Sequence, residues 1–136
     1  MLYDNLVQPV IARHAPPTAE LICLDRHGGQ ARIWSQDEIN RRLLELARSG
    51  RTVVRLQGGD PIVFARGGEE AQFLQSHGVP IEFVPGITAA LAAGSHAGVP
   101  LTHRRLASAV ALITGQDDAD KPNGGLDAAA LAQFPG

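Results

Sequence analysis

Short apolar runs rich in branched side chains alternate along this chain with longer segments whose apolar residues recur at helical spacing. That alternation marks βαβ units, so it predicts an α/β fold: a mainly parallel sheet with flanking helices. Glu20 to Leu24 and Thr52 to Leu56 read as buried strands, the second β-branched as a sheet covered on both faces prefers. Ile81 to Val84 and Ala109 to Thr114 read as two more. Between them, Ser35-Gln36-Asp37-Glu38 forms a capping box, and Ile39, Leu43, Leu46 and Ala47 then share one helical face up to Gly50. Glu69 to Ser76 is a second helix with Gly78 as its terminator, and Ile87 to Ala97 a third, ended by Gly98-Val99-Pro100. Leu6 to Arg13 reads as a short helix before Pro16-Pro17. Asp25 to Trp34 reads as a loop and Gln116 to Gly125 as a linker, and Leu126 to Phe134 opens one more helix.

Composition narrows the function. A net charge of -2 argues against a nucleic-acid partner, which shows as a basic excess or stripe. No apolar run approaches the roughly eighteen residues of a membrane helix, and the start carries no signal segment. The single cysteine, Cys23, forms no intramolecular disulfide, so a cytoplasmic setting is the expectation. The five histidines contain no pair at zinc-site spacing, and no metal is expected.

Chemistry concentrates where strands end. Gly58-Gly59-Asp60-Pro61 follows the Thr52 to Leu56 strand directly, at the edge where open α/β sheets bind ligands. Paired glycines admit a ligand close to the backbone, and the Asp60 carboxylate suits an amine or hydroxyl; a tight turn with Asp60 as a helix cap fits the same residues. This is neither a Walker loop nor a dinucleotide fingerprint. Glu69 and Glu70 have a structural explanation in the dipole of the helix they open. In Val84-Pro85-Gly86-Ile87-Thr88-Ala89-Ala90, Thr88 either caps a helix or lines a space for a flat ligand.

Taken together, the run from Val53 through Arg55-Leu56-Gln57-Gly58-Gly59-Asp60-Pro61 to Phe64-Ala65-Arg66-Gly67-Gly68-Glu69-Glu70 resembles a hallmark of the uroporphyrinogen-III C-methyltransferases, members of the tetrapyrrole methylase family. So do Val84 to Ala90, Gly98-Val99-Pro100-Leu101-Thr102-His103-Arg104, Tyr3-Asp4-Asn5-Leu6-Val7 and Gln36 to Asn40, in order and spacing from about residue 2 to about residue 115. The resemblance implies a two-domain α/β enzyme, a homodimer in the full-length family, that methylates uroporphyrinogen III to precorrin-2 with S-adenosylmethionine, toward siroheme and cobalamin. Other precorrin methyltransferases of the same fold, or a non-catalytic cofactor-binding remnant, are the alternatives.

Position by position, the resemblance implies cofactor contacts at Gly58, Gly59, Asp60, Val63, Thr88 and Ala89. It implies a proton acceptor at Asp4, and Arg26 where the family carries a lysine proposed as proton donor. Arginine stays protonated, so the implied role of Arg26 is electrostatic. The family's opening strand and its glycine-proline-glycine-aspartate loop precede the tyrosine-aspartate motif, which here follows Met1 almost at once. The expectation is therefore a partial first domain over residues 1–105, an incomplete second over 106–136, and a chain truncated at both ends that is inactive alone.

Overall fold

The computed structural model describes residues 1–25, 34–115 and 127–134, and the chain divides into two units, Met1–Thr88 and Ala89–Gly136. In the first unit, strand β1 (Leu2–Tyr3) lies between β2 (Ile22–Cys23) and β3 (Arg55–Leu56). Both pairings are parallel, with Leu2 opposite Ile22 and Arg55, and Tyr3 opposite Cys23 and Leu56. The Leu2 N–H donates to the Val54 carbonyl at 2.8 Å, and the Leu24 N–H to that of Tyr3 at 2.8 Å. All three strands thus end on one edge.

Helix α1 (Pro9–Ala12) leads from β1 to β2, α2 (Gln36–Arg48) from β2 to β3, and α3 (Gly67–Ser76) follows β3. The capping box forms as expected: Ser35 Oγ accepts from Glu38 N–H at 3.3 Å, and Glu38 Oε2 accepts from Ser35 N–H at 2.9 Å. Helices α2 and α3 end where Gly50 and Gly78 adopt φ of 79° and 76°, a region glycine enters without steric cost. The two helices pack together, and Ile39, Leu43, Leu44, Leu46 and Leu74 join Leu2 and Leu24 in the core.

Several expectations change. β1 was not anticipated, because two residues carry no periodicity. The helix expected over Leu6 to Arg13 shrinks to Pro9–Ala12. Asp4 captures the Leu6 N–H at 3.1 Å in a turn, and Pro9, lacking an N–H, is suited to a first helical position. Residues 81–84 form no strand, since a strand exists only with a ladder partner and their amides find none among the described residues; Ile81 packs on the core nonetheless.

In the second unit, α4 (Ala89–Ala97) starts two residues later than expected, and α5 (Ala128–Ala132) is capped by Asp127. The Asp127 Oδ1 accepts from Ala129 N–H at 2.9 Å and Ala130 N–H at 3.0 Å. Residues 109–114 form no strand, so the second-domain strand expected there is absent. The expected linker, 116–125, lies outside the described residues. Among those residues no helix is long and apolar enough to cross a membrane.

Candidate functional site

The parallel strands deliver Asp4–Leu6, after β1, and Gln57–Val63, after β3, to their carboxyl edge, and Pro85–Thr88 joins them there through the Gly86 N–H bond to Asp60. Close approach of backbone explains the glycines. A Cβ on Gly58 would sit 3.1 Å from the Leu6 carbonyl oxygen, and one on Gly86 would overlap the Gly59 carbonyl oxygen. Gly59 takes φ of 82°, and a Cβ there would lie 3.7 Å from the Ile87 carbonyl oxygen and 3.8 Å from the Thr88 Cα. The result is a rim of bare peptide groups, open to the approach of a ligand.

Asp60 fastens this rim. Its Oδ1 accepts the Ile62 N–H at 3.0 Å and its Oδ2 the Gly86 N–H at 3.0 Å, across 26 positions of sequence. The Ile62 amide first, then the Gly86 amide, hold its carboxyl below the usual 3.8; partial burial opposes them, and the Val63 amide adds a smaller pull. The helix-cap reading of Asp60 fails, because α3 begins seven residues on with no side-chain cap. Each carboxylate oxygen keeps a lone pair that an amine or hydroxyl can address. Val63 belongs to the same turn, its N–H donating to the Asp60 carbonyl at 3.4 Å. Thr88 is buried, with its Cα close to Gly59, immediately ahead of α4.

Asp4 sits in a charged network that sequence reading missed. Its Oδ2 accepts from Arg55 Nη2 at 3.1 Å, and Arg55 Nε donates to Glu70 Oε1 at 3.4 Å. Glu70, only 4% exposed, also accepts from Gln36 Nε2 at 3.2 Å and from Gln57 Nε2 at 3.3 Å. Glu70 therefore does more than complement a helix dipole: it anchors the cation that holds Asp4. The signal was present in the sequence, since an arginine inside a buried strand demands a counter-charge. The neighbouring Glu69, by contrast, is exposed and pairs with Arg66 at 2.6 Å.

The structure thus brings Gly58, Gly59, Asp60, Val63 and Thr88 together, with Asp4 joined to them through Leu6. Ala89 follows Thr88 but is exposed and starts the second unit. Arg26 lies outside the described residues. No group of His, Cys, Asp or Glu among the described residues could hold a metal ion.

Comparison with known proteins identifies relatives of this arrangement. The sequence pattern of the tetrapyrrole (corrin/porphyrin) methylases matches residues 1–135. An S-adenosyl-L-methionine-dependent uroporphyrinogen III methyltransferase of Methanosarcina barkeri is 45% identical over 136 residues, all of this chain and 53% of the relative. A siroheme synthase of Zymomonas mobilis is 46% identical over 133 residues, 98% of this chain and 28% of the relative. Among solved structures, uroporphyrin-III C-methyltransferase of Thermus thermophilus complexed with S-adenyl homocysteine superposes with a TM-score of 0.61 at 47% identity, covering 79% of this chain and 43% of that one. The chain therefore spans about half the length of the methyltransferases it matches, and less of the synthase.

Proposed function

The chain belongs to the tetrapyrrole (corrin/porphyrin) methylase family, and from that premise we propose that it forms the S-adenosylmethionine-binding part of an enzyme that C-methylates uroporphyrinogen III to precorrin-2. The observation that carries the proposal is the backbone rim of Gly58, Gly59 and Gly86, fastened by Asp60 and closed at one side by buried Thr88. The residues suit the cofactor: bare peptide edges accommodate a flat adenosine, and a carboxylate with spare lone pairs addresses its hydroxyls or amine. When bound, S-adenosylmethionine supplies an electrophilic methyl group.

The roles of this chain's residues follow from that placement. Gly58, Gly59 and Val63 present backbone to the cofactor, and Asp60 holds the rim and orients a polar group on it. Thr88 offers its side-chain hydroxyl. Ala89 stays in the assignment on the resemblance alone. Asp4, kept in place by Arg55 and the Leu6 amide, is the candidate acceptor of the proton released when a pyrrole carbon gains its methyl group. Arg26 supplies a fixed positive charge to the substrate's carboxylates. In this reading residues 1–105 belong to the family's first domain and 106–136 to the second, the enzyme works in the cytoplasm, and the assembled form is a homodimer.

The test is calorimetric titration with S-adenosylhomocysteine, together with assay of labelled methyl transfer to uroporphyrinogen III. Both are run on the chain and on a form extended to the relatives' length. Binding and transfer by the extended form are expected. An extended form that folds but binds no S-adenosylhomocysteine overturns the proposal, and one that methylates a different precorrin redirects it to a sister enzyme of the same fold.

A further inference from the structure

Phe64 combines two unfavourable features. Its φ of 52° makes it the one non-glycine with a left-handed backbone among the described residues, a conformation that bulky L side chains avoid. The residue is 59% exposed and is not among those packed on the core. The position is nevertheless tightly defined. The Val63 N–H bonds back to the Asp60 carbonyl, and the Gly67 N–H donates to the Pro61 carbonyl at 3.1 Å. Gly67 lies so close to Pro61 that no Cβ fits between them. Residues 61–67 are therefore a closed loop with Phe64 at its tip, and its base is bonded to the aspartate that fastens the glycine rim. Strain held by such over-determined surroundings recurs at ligand sites.

From these observations we infer that Phe64 is a substrate-binding residue: its ring packs against a pyrrole ring of the tetrapyrrole acceptor, and its left-handed backbone turns the ring outward to do so. The inference rests on the methyltransferase reading above. Methyl transfer needs the acceptor carbon about 3–3.5 Å from the group it attacks, so the acceptor must lie against the same strand edge as the donor. A tetrapyrrole presents apolar rings between carboxylate arms, and an exposed aromatic ring complements the apolar part through offset or edge-to-face packing. Ile62, 62% exposed on the same loop, extends that apolar surface.

The test compares Phe64→Gly and Phe64→Tyr with the unaltered protein, in the chain and in its extended form. Anaerobic calorimetry gives affinities for uroporphyrinogen III and for S-adenosylhomocysteine, and a melting curve is recorded for each variant. Glycine adopts a φ of 52° freely, so Phe64→Gly is not expected to lower the melting temperature. It should weaken uroporphyrinogen III binding roughly tenfold, the scale of losing one packed aromatic contact, and leave S-adenosylhomocysteine binding unchanged. Phe64→Tyr should restore substrate affinity. Unchanged substrate affinity in Phe64→Gly overturns the inference and leaves the methyltransferase reading standing. A loss confined to S-adenosylhomocysteine also overturns it, because the ring would then stack on the cofactor. So does a melting temperature that falls with both affinities, because the ring would then be packing the loop. If neither unaltered form binds uroporphyrinogen III, the reading itself fails and this inference falls with it.

Discussion

Asp60 shows how one carboxylate can tie two distant loops together at a site. Two backbone amides, from Ile62 and from Gly86, converge on it, and their pull lowers its pKa below 3.8. A group whose folded pKa is depressed contributes stability that is present above its unfolded value, about 3.9, and is lost as pH falls through the folded value. Asp60→Asn replaces one acceptor oxygen with a donor and leaves an amide unanswered. The variant is therefore expected to melt below the unaltered chain at pH 7, with the gap closing as pH drops below about 4. Melting curves at pH 7, 5 and 3 check this; a gap constant across that range would show that charge is not what holds the two loops. At this scale the sequence made Asp60 conspicuous, because it stands beside two glycines after a strand. Its partner at Gly86 was not legible, since nothing local marks a bond across 26 positions. Arg55 announces a need for a counter-charge, but that Glu70 meets it was not legible, since only the fold brings the strand arginine to the helix glutamate.

At the level of elements, adjacent glycines at the start of α3 have opposite roles. A Cβ on Gly67 would run into the Pro61 carbonyl, whereas one on Gly68 meets nothing within 4 Å. Gly67→Ala must therefore push the 61–67 loop away and is expected to cost about 1–3 kcal/mol, the range of overpacked sites. Gly68→Ala should be neutral or stabilise by up to about 1 kcal/mol, since alanine favours helix over glycine. Urea denaturation of the two variants measures the difference, and equal stabilities would mean that the loop does not close on Gly67. The legibility of whole elements follows the same division between local and distant causes. Helix α2 was readable because its cap, its apolar face and its terminal glycine all lie within its own residues. The strands were readable only in part. β3 is confined to Arg55–Leu56, although branched residues begin earlier, and 81–84 is apolar enough for a strand yet pairs with nothing described. Composition reports where a strand could form, while the ladder depends on what lies beside it.

For the molecule as a whole, the family was legible because several long motifs recur in order across most of the chain, whereas the distribution of stability was not. The buried large hydrophobic residues, from Leu2 to Leu74, belong to the first unit. In the second, Gly94 is the one buried residue of α4, and Leu91, Val99, Leu106 and Ile113 are 46%, 58%, 77% and 41% exposed. Amides protected by few buried contacts exchange through local opening, at a free-energy cost below that of global unfolding. Hydrogen exchange of the free chain should therefore find the amides of Leu43, Leu44 and Leu74 the slowest, and those of α4 faster by orders of magnitude. Adding S-adenosylhomocysteine at about a hundred times its dissociation constant stabilises the bound state by about 2.7 kcal/mol. Amides of 58–63 and 85–88 that exchange only from the unliganded form should then slow by up to about a hundredfold. Protection of α4 equal to that of Leu74 in the free chain would show that the second unit holds itself together by means other than a buried core. Unchanged exchange at 58–63 and 85–88 under saturating ligand would remove the glycine rim from the binding site.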